Sequence, residues 1–369
     1  AQSLPSHNNN NLQVSVLAPD DAQASGDVLD GVPVQRFRYA LWRRNQQLAY
    51  GAGMLPNLKR QPWRGLQLPI FLLAMTGRLW WLCRQTRPDL IHAHWVIPQG
   101  LPAVLVGRGL GIPVCLTAHG SDTLGLPSTK MARLRRWIVN QATGWSANSA
   151  ATAAALAQPP PRWPPTLIPM GVDVTAFAGA IPMPRPADQY VLLYVGRLIT
   201  KKGVQLLLEA YAQLAPALRA QTVLWLVGAG DLRADLERRA QGLSVQFWGA
   251  VPNAQLPAFY AAADVVVMPS LTEGQGVVAL EALASGRALI ASQVDGLAEM
   301  LRHETTAYLV PPGAVVPLQA ALTRLLTDAA LRQQLASQGQ QWVQAYYAWP
   351  SIAARFAAWY HMMITAKQQ

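Results

Sequence analysis

Residues 265–292 read VVVMPSLTEGQGVVALEALASGRALIAS. The run divides into a strand (Val265–Met268), a glycine-containing loop, a helix (Val277–Ala284) and a second strand over 289–291. The helix is apolar almost all round, which marks it as buried. The strands carry no alternation of polar and apolar residues, as expected of parallel strands covered on both faces. Gly274 and Gly276 let the backbone approach a ligand, and the helix start offers N–H groups to anionic or oxygen-rich groups. Glu273 precedes that start and Glu281 lies inside the apolar helix, where a carboxylate needs a partner. Two such carboxylates admit three readings. They could be the acid and base of a glycoside hydrolase. They could accept hydrogen bonds from the hydroxyls of a bound sugar or diol. Or Glu273 could be solvated and Glu281 paired with an arginine in the core.

Outward from this stretch, strand and helix patterns alternate. Toward the C-terminus of the chain they begin at Tyr190–Val195 and run through 206–214, Thr222–Val227, 232–240, 245–248 and 254–261 before reaching 265. Helical patterns follow at 316–326, 331–345 and 350–363. Toward the N-terminus, strands are expected at 12–18, 34–39, 89–94, 113–118 and Gly144–Ala147, with helices at 99–108, 130–141 and 149–156. Residues 40–65 are basic and read as irregular. This alternation specifies an α/β protein with two Rossmann-like parallel-sheet domains in tandem, with ligands expected at the strand C-terminal ends. The stretch 159–165 (PPPRWPP) reads as a stiff loop. Pro182, Pro184 and Pro186 punctuate the boundary between the domains.

The 369 residues are 51% hydrophobic and 13% charged, enough for two full cores. The net charge of +11 is uneven: residues 1–167 hold 16 Lys/Arg against 6 Asp/Glu, leaving 14 against 13 for the remainder. A basic first half fits an anionic partner such as a membrane surface, a phosphorylated acceptor or nucleic acid, or a plain basic surface. The run 66–83 (LQLPIFLLAMTGRLWWLC) is interrupted by Pro69, Gly77 and Arg78. It reads either as a buried helix or as one lying on a membrane surface with Trp80 and Trp81 at the interface. Cys83 and Cys115 sit in apolar contexts, which fits a reducing, cytoplasmic compartment.

Beyond the two glutamates, three groups carry chemistry. Strand Tyr190–Val195 ends in Gly196 and Arg197, with Lys201, Lys202 and Gly203 close behind. A guanidinium fork and an ammonium at a strand end suit a diphosphate, although no Walker loop is present. Residues 227–231 (VGAGD) form another strand-to-helix turn without a complete dinucleotide fingerprint. Strand 113–118 ends in His119, Gly120, Ser121 and Asp122, beside His92 and His94 on the neighbouring strand. No DxD, HExxH or zinc spacing is present, so the motifs point to no catalytic metal.

In combination, Gly196–Arg197 with Lys202–Gly203, Glu273–Gly274–Gln275–Gly276 with Glu281–Ala282, Ser285–Gly286, and residues 117–122 (TAHGSD) resemble the family-4 retaining glycosyltransferases of the GT-B fold. His92–Ala93–His94–Trp95 and Gly171–Val172–Asp173 extend the likeness, which covers roughly residues 12–363. The resemblance implies two Rossmann-like domains facing across a cleft. It assigns residues 1–168 to an acceptor-side domain completed by a returning helix (349–365), 169–187 to a hinge and 188–348 to a nucleotide-sugar domain. It implies a retaining, metal-independent transfer of a sugar from a UDP- or GDP-sugar to a glycan or lipid-linked acceptor. No cofactor and no nucleic acid take part. An anionic membrane surface is expected as a partner, at the inner face of a membrane.

By the same resemblance, Arg197 and Lys202 hold the diphosphate and Glu273 binds sugar hydroxyls. Backbone N–H groups around Gly274, Gln275, Gly276 and Val277 reach sugar or phosphate, Glu281 takes the ribose diol, and His119 orients the donor sugar. His94 and Asp122 are acceptor-side candidates. The alternative function is a non-catalytic relative that binds nucleotide-sugar or lipid. Asp295, Ala307 and Ala314 depart from residues usual in the family. Family members open with a strand, a glycine-rich loop and a helix. Here residues 12–18 correspond to the second strand and 1–7 to the tail of that helix, so the first strand and loop are expected to be missing.

Overall fold

In a computed structural model the protein is described over residues 12–20, 28–29, 31–46, 48–49, 54–120, 128–157 and 160–368. The chain divides into two compact units. Unit 1 comprises Ala1–Asn148, Thr152–Ile168 and Ala353–Gln369, and unit 2 comprises Ser149–Ala151 and Pro169–Ile352.

Unit 2 is built on strands β8 (Tyr190–Val195), β9 (Thr222–Val227), β10 (Val245–Gly249), β11 (Val265–Met268), β12 (Ala288–Ser292) and β13 (Tyr308–Val310), in the order β10-β9-β8-β11-β12-β13, all parallel. Side chains alternate between two cores. Val191, Leu193, Val223, Trp225 and Val266 enter one, while Leu192, Tyr194, Leu224, Leu226, Val265 and Val267 enter the other. With both faces buried, the strands have no polar side to show, which is why they read as unbroken apolar runs. Helix Val277–Ala284 buries Ala279, Leu280, Ala282, Leu283 and Ala284 against the first core.

Unit 1 carries two sheets. Strands β4 (Ile91–His94), β5 (Val114–Ala118), β6 (Gly144–Ala147) and β7 (Thr166–Leu167) pair in that order in parallel. Strands β1 (Val16–Pro19) and β3 (Val32–Phe37) pair in parallel, and β2 (Val28–Leu29) lies antiparallel on β3. Helix Gln67–Thr86 spans the cores of both sheets, with Phe71 and Met75 in one and Leu79 and Cys83 in the other. Its opposite side stays open: Ile70, Leu73, Trp80 and Trp81 are exposed. The helix is thus buried on one face, as the core reading expects, and exposes apolar side chains on the other. Among the described residues one helical run, Pro62–Thr86, is long and apolar enough to cross a membrane. The final helix, Trp349–Gln368, starts in unit 2 and continues into unit 1, where Trp359 is buried.

Three expectations need correction. The basic stretch 40–65 is not irregular throughout: it holds helix Met54–Arg60 and 3-10 turns at Arg43–Asn45 and Pro62–Leu66. Pro56 stands in the first helical turn, where a missing N–H is tolerated, and Met54 and Leu58 pack on the adjacent core. The stretch expected to be a hinge or linker, 169–187, clusters with unit 2. Asp173 caps helix Val174–Ala178, Val172 bridges Ala348, and Arg185 pairs with Asp264, so the prolines at 182, 184 and 186 punctuate a docked segment. Helix Asp295–Met300 and strand β13 were absent from the reading because each is short. Asp122, and the expectation for residues 1–7, lie outside the described residues.

Candidate active site

In unit 2 the strand order runs one way from β8 through β9 to β10 and the other way through β11 to β13. The crevice beyond the C-terminal ends of β8 and β11 is therefore the topological switch point, where open α/β sheets bind ligands. The loops after these strands are pressed together. Gly203 takes a left-handed φ of 70°, and a Cβ there would stand 1.8 Å from the Pro269 carbonyl oxygen. Leu271 N–H donates to the Lys201 carbonyl at 2.9 Å. Only glycine permits that approach, and it brings the two chemistry-bearing loops together.

At their meeting the Lys202 ammonium contacts the Glu273 carboxylate in an ion pair, with both side chains largely buried. Ser270 Oγ adds a long bond to the same carboxylate oxygen at 3.4 Å. Arg197, at the end of β8, is exposed and makes no ion pair among the described residues. Its backbone carbonyl accepts from the buried Tyr194 hydroxyl at 2.8 Å, which fixes the turn. Burial, then the Glu273 charge, hold that hydroxyl above its ordinary pKa, with a smaller opposing effect from Arg197. A lysine, a carboxylate and an arginine thus occupy one crevice.

The glycine loop is fixed from both sides. The Asp295 carboxylate accepts from Glu273 N–H at 3.0 Å, although Asp295 itself has a left-handed φ of 38°. The Gln275 side chain turns to the Met170 backbone. Its amide donates to the Met170 carbonyl at 3.0 Å and its oxygen accepts from Met170 N–H at 2.6 Å, which ties the start of the 169–187 segment to the loop. Gly276, with φ 85°, caps helix Val277–Ala284, where Val277 is exposed. Glu281 is not paired with arginine. Tyr260 donates to one of its oxygens at 2.6 Å, and burial pushes the Glu281 pKa up against the lowering effect of that bond.

Unit 1 holds a second cluster. His94 Nδ1 and His119 Nε2 are 2.9 Å apart with their rings stacked. His92 bridges the Tyr360 hydroxyl at 2.6 Å and the Thr117 hydroxyl at 2.7 Å. Desolvation and repulsion from His94 push His119 down to about 3. Desolvation lowers His94 as well, although one edge of it stays open to solvent, and His92 lies well below its usual value through burial. Neutral imidazoles suit these contacts, since each then donates once and accepts once. Tyr194 and Tyr260 escaped the sequence reading, and Asp295 entered it only as a departure from the family. Both tyrosines look like ordinary core positions, and only the left-handed geometry at 295 sets that aspartate apart.

Two units built on parallel α/β sheets, one with a cationic crevice at its switch point, are the architecture of the GT-B class. Residues 8–176 match the family model described as Glycosyltransferase Family 4, and residues 189–328 that described as Glycosyl transferases group 1. The chain belongs to glycosyltransferase family 4. It is 31% identical over 296 residues to a glycogen synthase of Mycobacterium tuberculosis, covering 75% of this chain and 69% of that one. It is 30% identical to an alpha-D-kanosaminyltransferase of Streptomyces kanamyceticus, covering 77% and 81%. The sucrose-phosphate synthase of Thermosynechococcus elongatus superposes with a TM-score of 0.75 at 26% identity, covering 96% and 90%.

Proposed function

We propose that the protein transfers a sugar, with retention of anomeric configuration, from a UDP- or GDP-sugar to a glycan or lipid-linked acceptor at the inner face of a membrane. The observation that carries this reading is the meeting of Lys202 with Glu273 at the switch point, beside an Arg197 that has no ion-pair partner among the described residues. Two cations suit a diphosphate, and a carboxylate already engaged by lysine suits sugar hydroxyls better than it suits protonating a leaving group. A hydrolase pair would need one carboxyl kept neutral beside its bond, and a lysine at contact works against that.

In the proposed step the acceptor hydroxyl oxygen bonds to the anomeric carbon while the bond from that carbon to the diphosphate oxygen breaks. The hydroxyl proton passes to the departing diphosphate, on the same face of the sugar. Arg197 and Lys202 stabilise the charge that develops on the leaving group, so no metal is required for that purpose. The orphan N–H groups at the start of helix Val277–Ala284 add donors to sugar or phosphate. Glu281 is assigned the ribose diol, and His119 of unit 1, from the family likeness, the orientation of the donor sugar. His94 and Asp122 remain acceptor-side assignments.

The membrane part of the reading rests on the open face of unit 1. Leu41, Trp42, Trp63, Leu66, Ile70 and Leu73 are all more than half exposed, and Arg44 and Arg64 stack on Trp42 and Trp63. Aromatic, aliphatic and basic side chains in one region suit the headgroup boundary of an anionic bilayer. The test of the central reading is a screen of UDP- and GDP-sugars for thermal stabilisation, followed by product analysis with EDTA present. A configuration-retained product formed in EDTA is expected. Complete loss restored by Mg²⁺ or Mn²⁺ sinks the metal-independent step, and stabilisation without any product favours the binding-only relative.

A further inference from the structure

Unit 1 contains a cleft of about 260 Å³ lined by Asp20, Val34, Gln35, Arg36, Arg38, Arg43 and Arg78. It lies at the C-terminal end of the β1–β3 pair, where Asp20 N–H donates to the Phe37 carbonyl at 2.8 Å. Four guanidiniums and one carboxylate are the charged groups of the described lining, an excess of cations in which Arg36 already has a partner.

The hydrogen bonds show how the excess is used. Asp20 is buried, and its Oδ2 accepts from Arg38 Nε at 2.9 Å and Arg43 Nε at 2.8 Å. Each guanidinium spends only its Nε on the carboxylate. The terminal amino groups of Arg38 and Arg43, which are half or more exposed, have no partner among the described residues. Arg78 is oriented from two sides: it donates to Gln35 Oε1 at 2.7 Å and stacks on Trp81 at 4.2 Å. Among the described residues its buried Nε has no partner, and neither has the buried Asp20 Oδ1. Asp20 therefore acts as an anchor that aims two arginine forks the same way. Arginine forks aimed together match a tetrahedral oxyanion.

We propose that this cleft binds the phosphate group of a phosphorylated molecule, and that in transfer this is the phosphate of the acceptor. The second half rests on the glycosyltransferase reading above; the first half does not. The cleft is near the lower size limit of small-molecule sites, roughly 300 Å³, so it takes a phosphate headgroup and leaves the rest of the acceptor outside.

The test is titration of the full chain with glycerol 1-phosphate, followed by calorimetry, with UDP present to occupy unit 2. Arg43→Gln and Arg78→Gln should each weaken binding at least tenfold, while Lys202→Ala leaves it unchanged. Equal affinity in the arginine variants, or loss only with Lys202→Ala, overturns the proposal. Because removing an arginine strands a buried carboxylate, Asp20→Asn supplies a second reading. It removes the competing negative charge, so a phosphate site gains affinity severalfold, whereas a site with only a structural role shows no gain. Vesicles containing phosphatidic acid separate a free phosphate ester from a lipid headgroup. Vesicle binding that glycerol 1-phosphate displaces supports the cleft, with the headgroup as one source of the phosphate. Vesicle binding without any soluble phosphate binding overturns it in favour of surface charge. None of these readouts requires transfer activity, so failure of the glycosyltransferase reading leaves them intact. If transfer is observed, Arg43→Gln should raise the acceptor KM and leave kcat nearly unchanged.

Discussion

The two units handle charge in opposite ways. In unit 2 the cations stand at the end of one six-stranded sheet, and Lys202 meets a carboxylate within a short span of loops. In unit 1 the excess positive charge is spread over strand ends, turns and a helix, and its histidine cluster is held neutral. A compact site made by adjacent loops on parallel strands has fixed spacings, so it leaves a motif. A surface gathered from distant segments leaves only a composition bias. Unit 2 is therefore where single substitutions should act most strongly, and unit 1 where effects should be graded and salt-dependent.

The largest effect is expected at Arg197 and Lys202. Alanine at either position should weaken nucleoside-diphosphate binding by about 1.5–3 kcal/mol, the range of a charge-assisted bond. Turnover should fall about a hundredfold or more, since the same groups stabilise the leaving charge. Calorimetry with UDP and GDP and initial rates check both. Unchanged affinity for whichever nucleotide the unaltered chain binds would place the diphosphate elsewhere and erase the contrast between the units.

For unit 1 the corresponding experiment is flotation with anionic and neutral vesicles. Replacing Arg44 and Arg64 together by Gln should lower partition to anionic vesicles by about 2 kcal/mol, at about 1 kcal/mol per surface arginine, and the loss should shrink at high salt as screening grows. Equal partition to neutral vesicles at low salt would show that exposed apolar side chains alone govern the surface. Unit 2 variants should leave partition unchanged.

The histidines give a pH test of the same contrast. His119 is held near 3 in the folded chain against about 6.5 in an unfolded one. Below pH 6.5 the unfolded chain binds more protons, so stability falls as pH falls, and the loss saturates near pH 3. At pH 5 this single group costs on the order of 1–2 kcal/mol. The melting of unit 1 should drop between pH 7 and 5, and His119→Gln should lessen that drop, leaving the part due to His92 and His94. An equally steep pH dependence in the variant would move the effect to other groups.

Most of unit 2 was legible because each of its strands is an unbroken apolar run buried on both faces, and because glycine, arginine, lysine and glutamate recur at strand ends. Unit 1 was less legible. Helix Gln67–Thr86 shows apolar residues on two faces, one buried and one exposed, so its periodicity could not tell core from membrane surface. Helix Met54–Arg60 was hidden by Pro56 and its basic neighbours. The arginine cleft joins residues 20, 34–43 and 78, a juxtaposition that no local spacing encodes. The pairing of the Gln275 side chain with the Met170 backbone, 105 residues away, is likewise encoded by no local spacing.

The smallest effect is expected at Asp295, where two costs nearly cancel. Its left-handed φ of 38° strains a non-glycine residue, while its carboxylate holds the backbone N–H of Glu273 at 3.0 Å. Asp295→Gly should relieve the strain, worth about 1 kcal/mol, and lose a charge-assisted bond of about 1.5–3 kcal/mol that is partly replaced by water at this exposed site. The net change in stability should stay within about 1 kcal/mol. Asp295→Asn keeps an acceptor and the backbone tolerance of asparagine, so it should differ from the parent by a few tenths of a kcal/mol. A role confined to stability would leave kinetics untouched in both. If Asp295 instead positions the loop that carries Glu273, the glycine variant should raise the donor KM severalfold with little change in kcat, and the asparagine variant should restore most of it. A donor KM that is the same in all three proteins would reduce Asp295 to a local feature of the turn.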